Sequence, residues 1–224
     1  MTCPLLRDLL LMEVRSGLHT CPVSARTDSL DMQWILRESI ARIECKNNQT
    51  EAAQTACKSF SEYVWQGELF SIVKAIVKTA YPLLLYGMVS EGRNLPSVQG
   101  GRKRVDLLLI DSGDLPAHAV ELLIFGSKDE MHEHWRRAVD VYQKLYAHGN
   151  VPCTIQVVNI CLQGKEGTGY KWLPEVASPH VHVVHVQIRG DYSVALVTWE
   201  SGVEELVAIV GGHGQLEFFL GPID

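Results

Sequence analysis

The sequence has no Cys-x-x-Cys pair. Its six cysteines, Cys3, Cys21, Cys45, Cys57, Cys153 and Cys161, are scattered, which excludes a zinc ribbon or a dithiol redox motif and suits free thiols in a reducing compartment. No stretch approaches the ~20 consecutive apolar residues of a membrane span. The opening MTCPLLRDLLLMEVRSG sets Asp8, Glu13 and two arginines around a short apolar run. A secretory signal needs a basic start and an unbroken apolar core, so none is expected. Positive charge is not in excess either: the net charge of −6 opposes tight sequence-independent binding to nucleic acid. GKEGTGYK (164–171) is not a phosphate loop, because Tyr170 follows Gly169 where the motif needs lysine; it reads as a hairpin loop. No Ser-His-Asp or Cys-His order with a nucleophile elbow occurs, which removes support for a covalent hydrolase. Internal repeats and low-complexity segments are also missing. These absences leave a globular protein of the cytoplasm or nucleus.

What is present is enough apolar material for one large core: 224 residues, 46% hydrophobic and 21% charged. In SLDMQWILRESIARIECK the apolar residues fall at 32, 35, 36, 40 and 43, the spacing of a helix face, with Asp28 or Ser29 as its N-cap. TEAAQTACKSFSEYVWQ and GELFSIVKAIVKTAYP continue as helix, with a break at Gly67 and a stop at Pro82. The period then changes. PLLLYGMVS, KRVDLLLID and HAVELLIF are short apolar runs bounded by turn residues, hence three successive strands. KDEMHEHWRRAVDVYQKLYAHGN returns to helical spacing through Met131, Trp135, Ala138, Tyr142 and Leu145 and stops at Gly149. CTIQVVNICL is a strand, and the stretch from His180 to Leu220 holds about four more, joined at Arg-Gly-Asp, Glu-Ser-Gly and Gly-Gly-His-Gly turns. The expected architecture is one α/β domain over 1–224: a helical cap at 1–58, a core at 59–162 of order α-β-β-β-α-β around a mixed sheet, and a β-rich extension at 163–224 with antiparallel strands.

Two of these strands carry an acid where an apolar residue would be easier to bury. Side chains alternate along a strand, so Asp106 shares a face with Leu108 and Ile110, and Glu121 shares one with Leu123 and Phe125. An ionised carboxylate on an apolar face costs several kcal/mol unless it is paired or bound to a cation. Two acids on adjacent strands can converge on one divalent ion, and hard oxygen ligands suit Mg²⁺. Each acid also has a purely structural reading. Asp106 can face water or bond a turn at the strand start. Glu121 can pair with Arg102, Arg104, Arg136 or Arg137. Glu68, near a helix start, suits the helix dipole.

The order of elements over ~60–162, with Glu68 in GELFSIVKAIV, Asp106 in KRVDLLLID and Glu121 in AVELLIF, resembles the PD-(D/E)XK nuclease-like superfamily. The run AVELLIFGSKDEMHEHWRRAVDVYQKLY, followed by a strand and VHVVHVQI, is similar to the nuclease-like domain of crinkler-type effectors of oomycetes and fungi. The translocation module with its Leu-rich LFLAK signature, usual in that group, does not occur in this sequence. The resemblance implies a fold of restriction-endonuclease-like order and a catalytic set of Glu68, Asp106 and Glu121, with Mg²⁺ on Asp106 and Glu121. It also implies auxiliary roles for His134, Arg137 and Tyr142 on the following helix. The family's third motif is acid-x-lysine, and here it reads Glu121-Leu122-Leu123. A lysine at 123 would have stabilised charge developing on phosphate, and losing such a group commonly costs ~2.7–4 kcal/mol. Relocated candidates are Lys74, Lys78, Lys103 and Lys128.

Two functions follow from that resemblance. One is a nuclease-like domain with a degenerate site, of effector type, acting through a protein or nucleic-acid partner. The other is a Mg²⁺-dependent nuclease with a relocated lysine. The basic run Arg102, Lys103 and Arg104 just before Asp106 is the best nucleic-acid contact in the sequence, with a solvated turn as its plain alternative. His132 and His134 lie two apart and point to different sides of their helix, whereas zinc helices space ligands by four. His180 and His182 share a strand face opposite His185, a pattern that permits a two-histidine metal clip but supplies no further ligand.

Overall fold

The computed structural model describes residues 29–43, 62–90, 104–111, 115–147, 151–162, 171–190 and 192–209. Two helices come first, α1 (Met32–Ala41) and α2 (Glu62–Ala80). Three strands follow, β1 (Gly87–Ser90), β2 (Leu107–Ile110) and β3 (His118–Ile124). The crossover helix α3 (Lys128–Arg137) runs on through a π-helical segment, Ala138–Tyr142, into a last α turn, Gln143–Leu145. Then come β4 (Thr154–Leu162), β5 (Val181–Ile188), β6 (Val194–Trp199) and β7 (Glu204–Ala208). The seven strands form one mixed sheet in sequence order, antiparallel except for the parallel pairs β3–β4 and β4–β5. This is the α/β class and element order the sequence pattern indicates.

Strand alternation divides the core in two. Leu107, Leu109, Val120, Leu122, Val158, Ile160, Val184 and Val186 face α1 and α2. Leu108, Ala119, Leu123, Ile155, Val157 and Val183 face the crossover helix, with Met131, Ala138 and Tyr142. A sheet apolar on both faces needs helices on both, and the parallel β3–β4 connection supplies the second layer. No described helix is long and apolar enough to cross a membrane. Cys153 and Cys161 are buried free thiols.

Several local expectations change. The α1 N-cap is Asp31, whose carboxylate accepts from the Trp34 N–H at 2.9 Å, rather than Ser29; Asp28 lies outside the described residues. Helix α2 passes through Gly67 unbroken, because its apolar residues Trp65, Leu69, Ile72, Val73 and Ile76 keep one buried face across that point. A single interior glycine costs only about 1 kcal/mol, which that burial outweighs. Strand β5 joins β4 in parallel, so the two do not form a hairpin pair; GKEGTGY itself lies outside the described residues. The 163–180 connection exceeds the dozen residues such a return requires. Three strands are described in the last third; Gly-Gly-His-Gly and everything beyond 209 lie outside the described residues, as do 44–61 and Gly149.

Phe125 does not share the face of Glu121. Its backbone is left-handed, φ 57°, so alternation ends at Ile124 and the ring packs with the α1/α2 cluster. The crossover helix keeps its expected stripe through Tyr142 and departs from it only at the end, where Tyr146, not Leu145, is the buried residue. The π segment causes this. Its i→i+5 bonding widens the turn, so residues 138, 142 and 146 stay on one face where an α-helix would have drifted.

Candidate functional site

The β2–β3 register pairs Leu107 with Val120, so the next position outward sets Asp106 opposite Glu121. The backbone ladder is replaced there by side chains. Asp106 Oδ2 accepts from the Leu122 N–H at 2.6 Å, while Gln66 of α2 donates to the Asp106 carbonyl at 3.1 Å and lies 3.4 Å from Oδ1. Asp106 thus takes up a backbone N–H of β3 with its side chain just before β2 begins.

Glu121 is 2% exposed, on the face covered by α3. Its Oε1 accepts from Arg137 Nη2 at 2.6 Å. The same Nη2 lies 3.0 Å from His134 Nδ1, which is 3.2 Å from Oε1. A neutral His134 accepts there from Arg137, and a protonated one donates to Glu121. The other carboxylate oxygen, Oε2, is buried without a hydrogen-bond partner, as is Arg137 Nε. Burial pulls the Arg137 guanidinium down, and the charge and hydrogen bond of Glu121 more than offset this, holding it above its ordinary value.

Tyr142 closes the floor. Its hydroxyl donates to the Arg104 carbonyl at 3.1 Å, and its ring lies 5.6 Å from the Arg137 guanidinium carbon. Burial first, then the negative charge of Glu121, push its phenol well above the ordinary range, with Asp106 a smaller contributor. Tyr146 is raised in the same way, by burial and then by Glu121, partly offset by a backbone hydrogen bond to Val105 and by Arg104. Both tyrosines are neutral here; Tyr142 donates to the Arg104 carbonyl, and Tyr146 accepts from the Val105 backbone.

Glu121, His134, Arg137 and Tyr142 therefore meet in one patch between β3 and the crossover helix, and Asp106 acts on the Tyr142 phenol through its charge while its carboxylate is bonded to the Leu122 N–H and to Gln66. Glu68 belongs to α2 and is not without a partner. It sits half-exposed on α2, which packs on the opposite face of the sheet, and Gln66 is the α2 residue that reaches Asp106. Arg102 and Lys103 lie outside the described residues. Arg104 has a buried, unpartnered Nε and acts electrostatically on Tyr146, so its side chain is turned inward.

Of the four lysine candidates, the three described ones lie elsewhere, and Lys103 is outside the described residues. Lys74 stands over the Phe70 ring, 5.4 Å from its centre, and Lys78 is exposed on the same helix. Lys128 lines a groove with His132, Trp135 and Trp172. Leu123 does share the Glu121 face, among the apolar residues of that layer. The cation at Glu121 is a guanidinium from the crossover helix.

The described groups give a divalent ion little to bind. Among the described residues, no three of His, Cys, Asp and Glu are arranged as a metal centre. Mg²⁺ is usually held by one or two carboxylates with several waters. Here Asp106 Oδ2 is taken by a backbone N–H, Arg137 occupies Oε1 of Glu121, and Oε2 is the orphaned oxygen. A divalent ion would fit only with that guanidinium moved away.

Gln66, Tyr146 and the π segment are contributors that sequence reasoning did not mark. A polar residue two before Glu68 and a second tyrosine four after Tyr142 are the available signals. No family model, no curated protein and no solved structure matches this chain.

Proposed function

We propose that this chain is a PD-(D/E)XK nuclease-like domain whose metal position has been neutralised from within, and that it acts, as an effector-type protein, by binding a macromolecule rather than by cleaving one. The observation that carries the reading is the 2.6 Å contact between Arg137 Nη2 and Glu121 Oε1, beside Leu123 where the family has lysine. A fixed guanidinium supplies the counter-charge a divalent ion would otherwise bring, without the open coordination positions that a substrate and water need. A groove of about 370 Å³ beside α3, lined by His132, Trp135, Trp172 and Pro174, supports a macromolecular partner, since aromatic side chains are enriched at interfaces. The net charge of −6 favours protein over nucleic acid. Buried free thiols suit the cytoplasm or nucleus.

Incubation with plasmid DNA and with RNA, at high protein concentration and with Mn²⁺, tests this. No cleavage is expected, and Mg²⁺ or Mn²⁺ should leave the melting temperature unchanged. Cleavage that needs metal and disappears in Asp106→Ala overturns it.

A second reading, a Mg²⁺-dependent nuclease, has one observation in its favour: the buried, unpartnered Oε2 of Glu121. On that reading Mg²⁺ would bind at Glu121 and Asp106 and supply Lewis-acid charge at the phosphate, and Arg137 would have to swing away. Metal-dependent stabilisation of the wild type separates the two.

A further inference from the structure

A groove of about 370 Å³ runs beside α3, on the α3 side of the sheet. Its floor is one stripe of that helix: Lys128, His132 and Trp135 stand at i, i+4 and i+7. At 1.5 Å rise per residue the stripe is about 10 Å long. The other wall is the segment leading into β5, which contributes Trp172, Pro174 and Val176. Trp172 stands steeply against both helix rings. Its centre is 5.5 Å from that of His132 and 6.1 Å from that of Trp135, with planes inclined by 66° and 73°. The surface is therefore an upright aromatic ridge, not a flat patch. The buried His185 on β5 holds the ridge in place from below, with Nε2 2.6 Å from the Trp172 carbonyl oxygen.

The walls decide what kind of chain the groove can hold. Neither wall is a sheet edge, so a partner cannot be added as a further strand. A helix with its side chains is about 10–12 Å across, and one turn of it occupies roughly 400–600 Å³, more than the groove offers. A polyproline II segment is slimmer and advances about 3.1 Å per residue, so one turn of three residues covers about 9 Å, close to the length of the stripe. Its rigid pyrrolidine rings pack against aromatic walls, and little conformational freedom is lost on docking. Lys128 and Glu175 bring opposite charges to the lining, so an uncharged segment complements it best. These 224 residues do not supply the occupant: their nine prolines include no adjacent pair and no Pro-x-x-Pro. That sets aside both a segment of this chain and a second copy.

We infer that the groove is the docking site for an uncharged, proline-rich segment of a partner protein, bound as a polyproline II helix with its rings against Trp172 and Trp135. The inference rests on the reading that the chain acts by binding a macromolecule, and it names the chemistry of that partner.

Titration of the ¹⁵N-labelled protein with a polyproline peptide, a Gly-Ser peptide and an amphipathic helical peptide, all of equal length, tests it. Of the five tryptophan indole signals, those of Trp172 and Trp135 should move with polyproline, with half-saturation below about 1 mM. The two control peptides should bind at least about tenfold more weakly. Trp172→Ala should abolish the response of the Trp135 signal. Val176→Glu, at a position 74% exposed where folding is not at stake, should weaken binding about tenfold. No polyproline binding at millimolar concentration, equal binding of either control peptide, or affinity that survives both substitutions overturns this inference alone. Metal-dependent cleavage of nucleic acid overturns the wider reading whether or not polyproline binds, so the two failures are distinct.

Discussion

Removing the Arg137 side-chain charge is the most informative single change. In Arg137→Met the aliphatic stem and its packing on Tyr142 remain, but Glu121, 2% exposed, loses the guanidinium 2.6 Å from its Oε1. Breaking one side of a buried pair commonly costs ~3–5 kcal/mol, because an uncompensated charge is left inside. The Arg137 side chain is 27% exposed, so water can partly replace it and the lower end, about 3 kcal/mol, applies. For a chain of this size that corresponds to a fall in melting temperature of roughly 6–12 °C. Urea unfolding of wild type, Arg137→Met, Glu121→Gln and the double variant closes a thermodynamic cycle. The double variant should recover most of the loss, since removing both charges leaves no buried ion. If Arg137→Met costs under about 1 kcal/mol, Glu121 has another counter-ion and the neutralised-site reasoning fails.

Three further changes have defined outcomes. His118 is held down at about 4, against an ordinary value of 6.5, by burial. Its neutral form therefore contributes stability fully present above pH 6.5 and lost as pH falls through about 4, on the order of 3 kcal/mol. Comparing urea midpoints at pH 7 and pH 4.5, wild type should lose more stability than His118→Phe. Gly126→Ala would set a Cβ 2.8 Å from Leu123 Cδ2, 3.1 Å from Leu123 Cβ and 3.2 Å from Asn159 Oδ1, the atom that accepts from the Gly126 N–H. Overpacking of that kind should cost about 1–3 kcal/mol, read as a lower urea midpoint with an unchanged slope. Ser127→Ala removes half of the capping box with Glu130 at the start of α3, and about 1 kcal/mol should be lost in the same assay.

Much of the framework was legible because burial imposes a period on the chain. Met32, Ile35, Leu36, Ile40 and Ile43 are all buried as their spacing requires, and HAVELLI is a strand with buried residues on both faces. That β2 and β3, which bear or border the two acids, are neighbours was legible too, from two apolar runs flanking one short turn. The acids' individual partners were not. Four arginines were within reach of Glu121 on sequence grounds, and the choice of Arg137 depends on where the crossover helix lands. The π segment has no residue signature in Ala-Val-Asp-Val-Tyr, so its effect on Tyr146 could not be foreseen. Phe125 misled because alternation assumes an extended backbone to the end of the run. His118 carries the same signal as Glu121, a polar side chain buried on an apolar strand.

The sequential order of the strands has a kinetic consequence. The antiparallel pairs β2–β3, β5–β6 and β6–β7 are joined by short links, whereas β4 must find both β3 and β5 across long connections. Loop closure is paid before those contacts give any return. The slow step of folding then belongs to the middle of the sheet: trimming Val158 on β4 should retard refolding, while trimming Val207 on β7 should mainly hasten unfolding. The outer hairpins are free to form and dissolve many times before the centre commits.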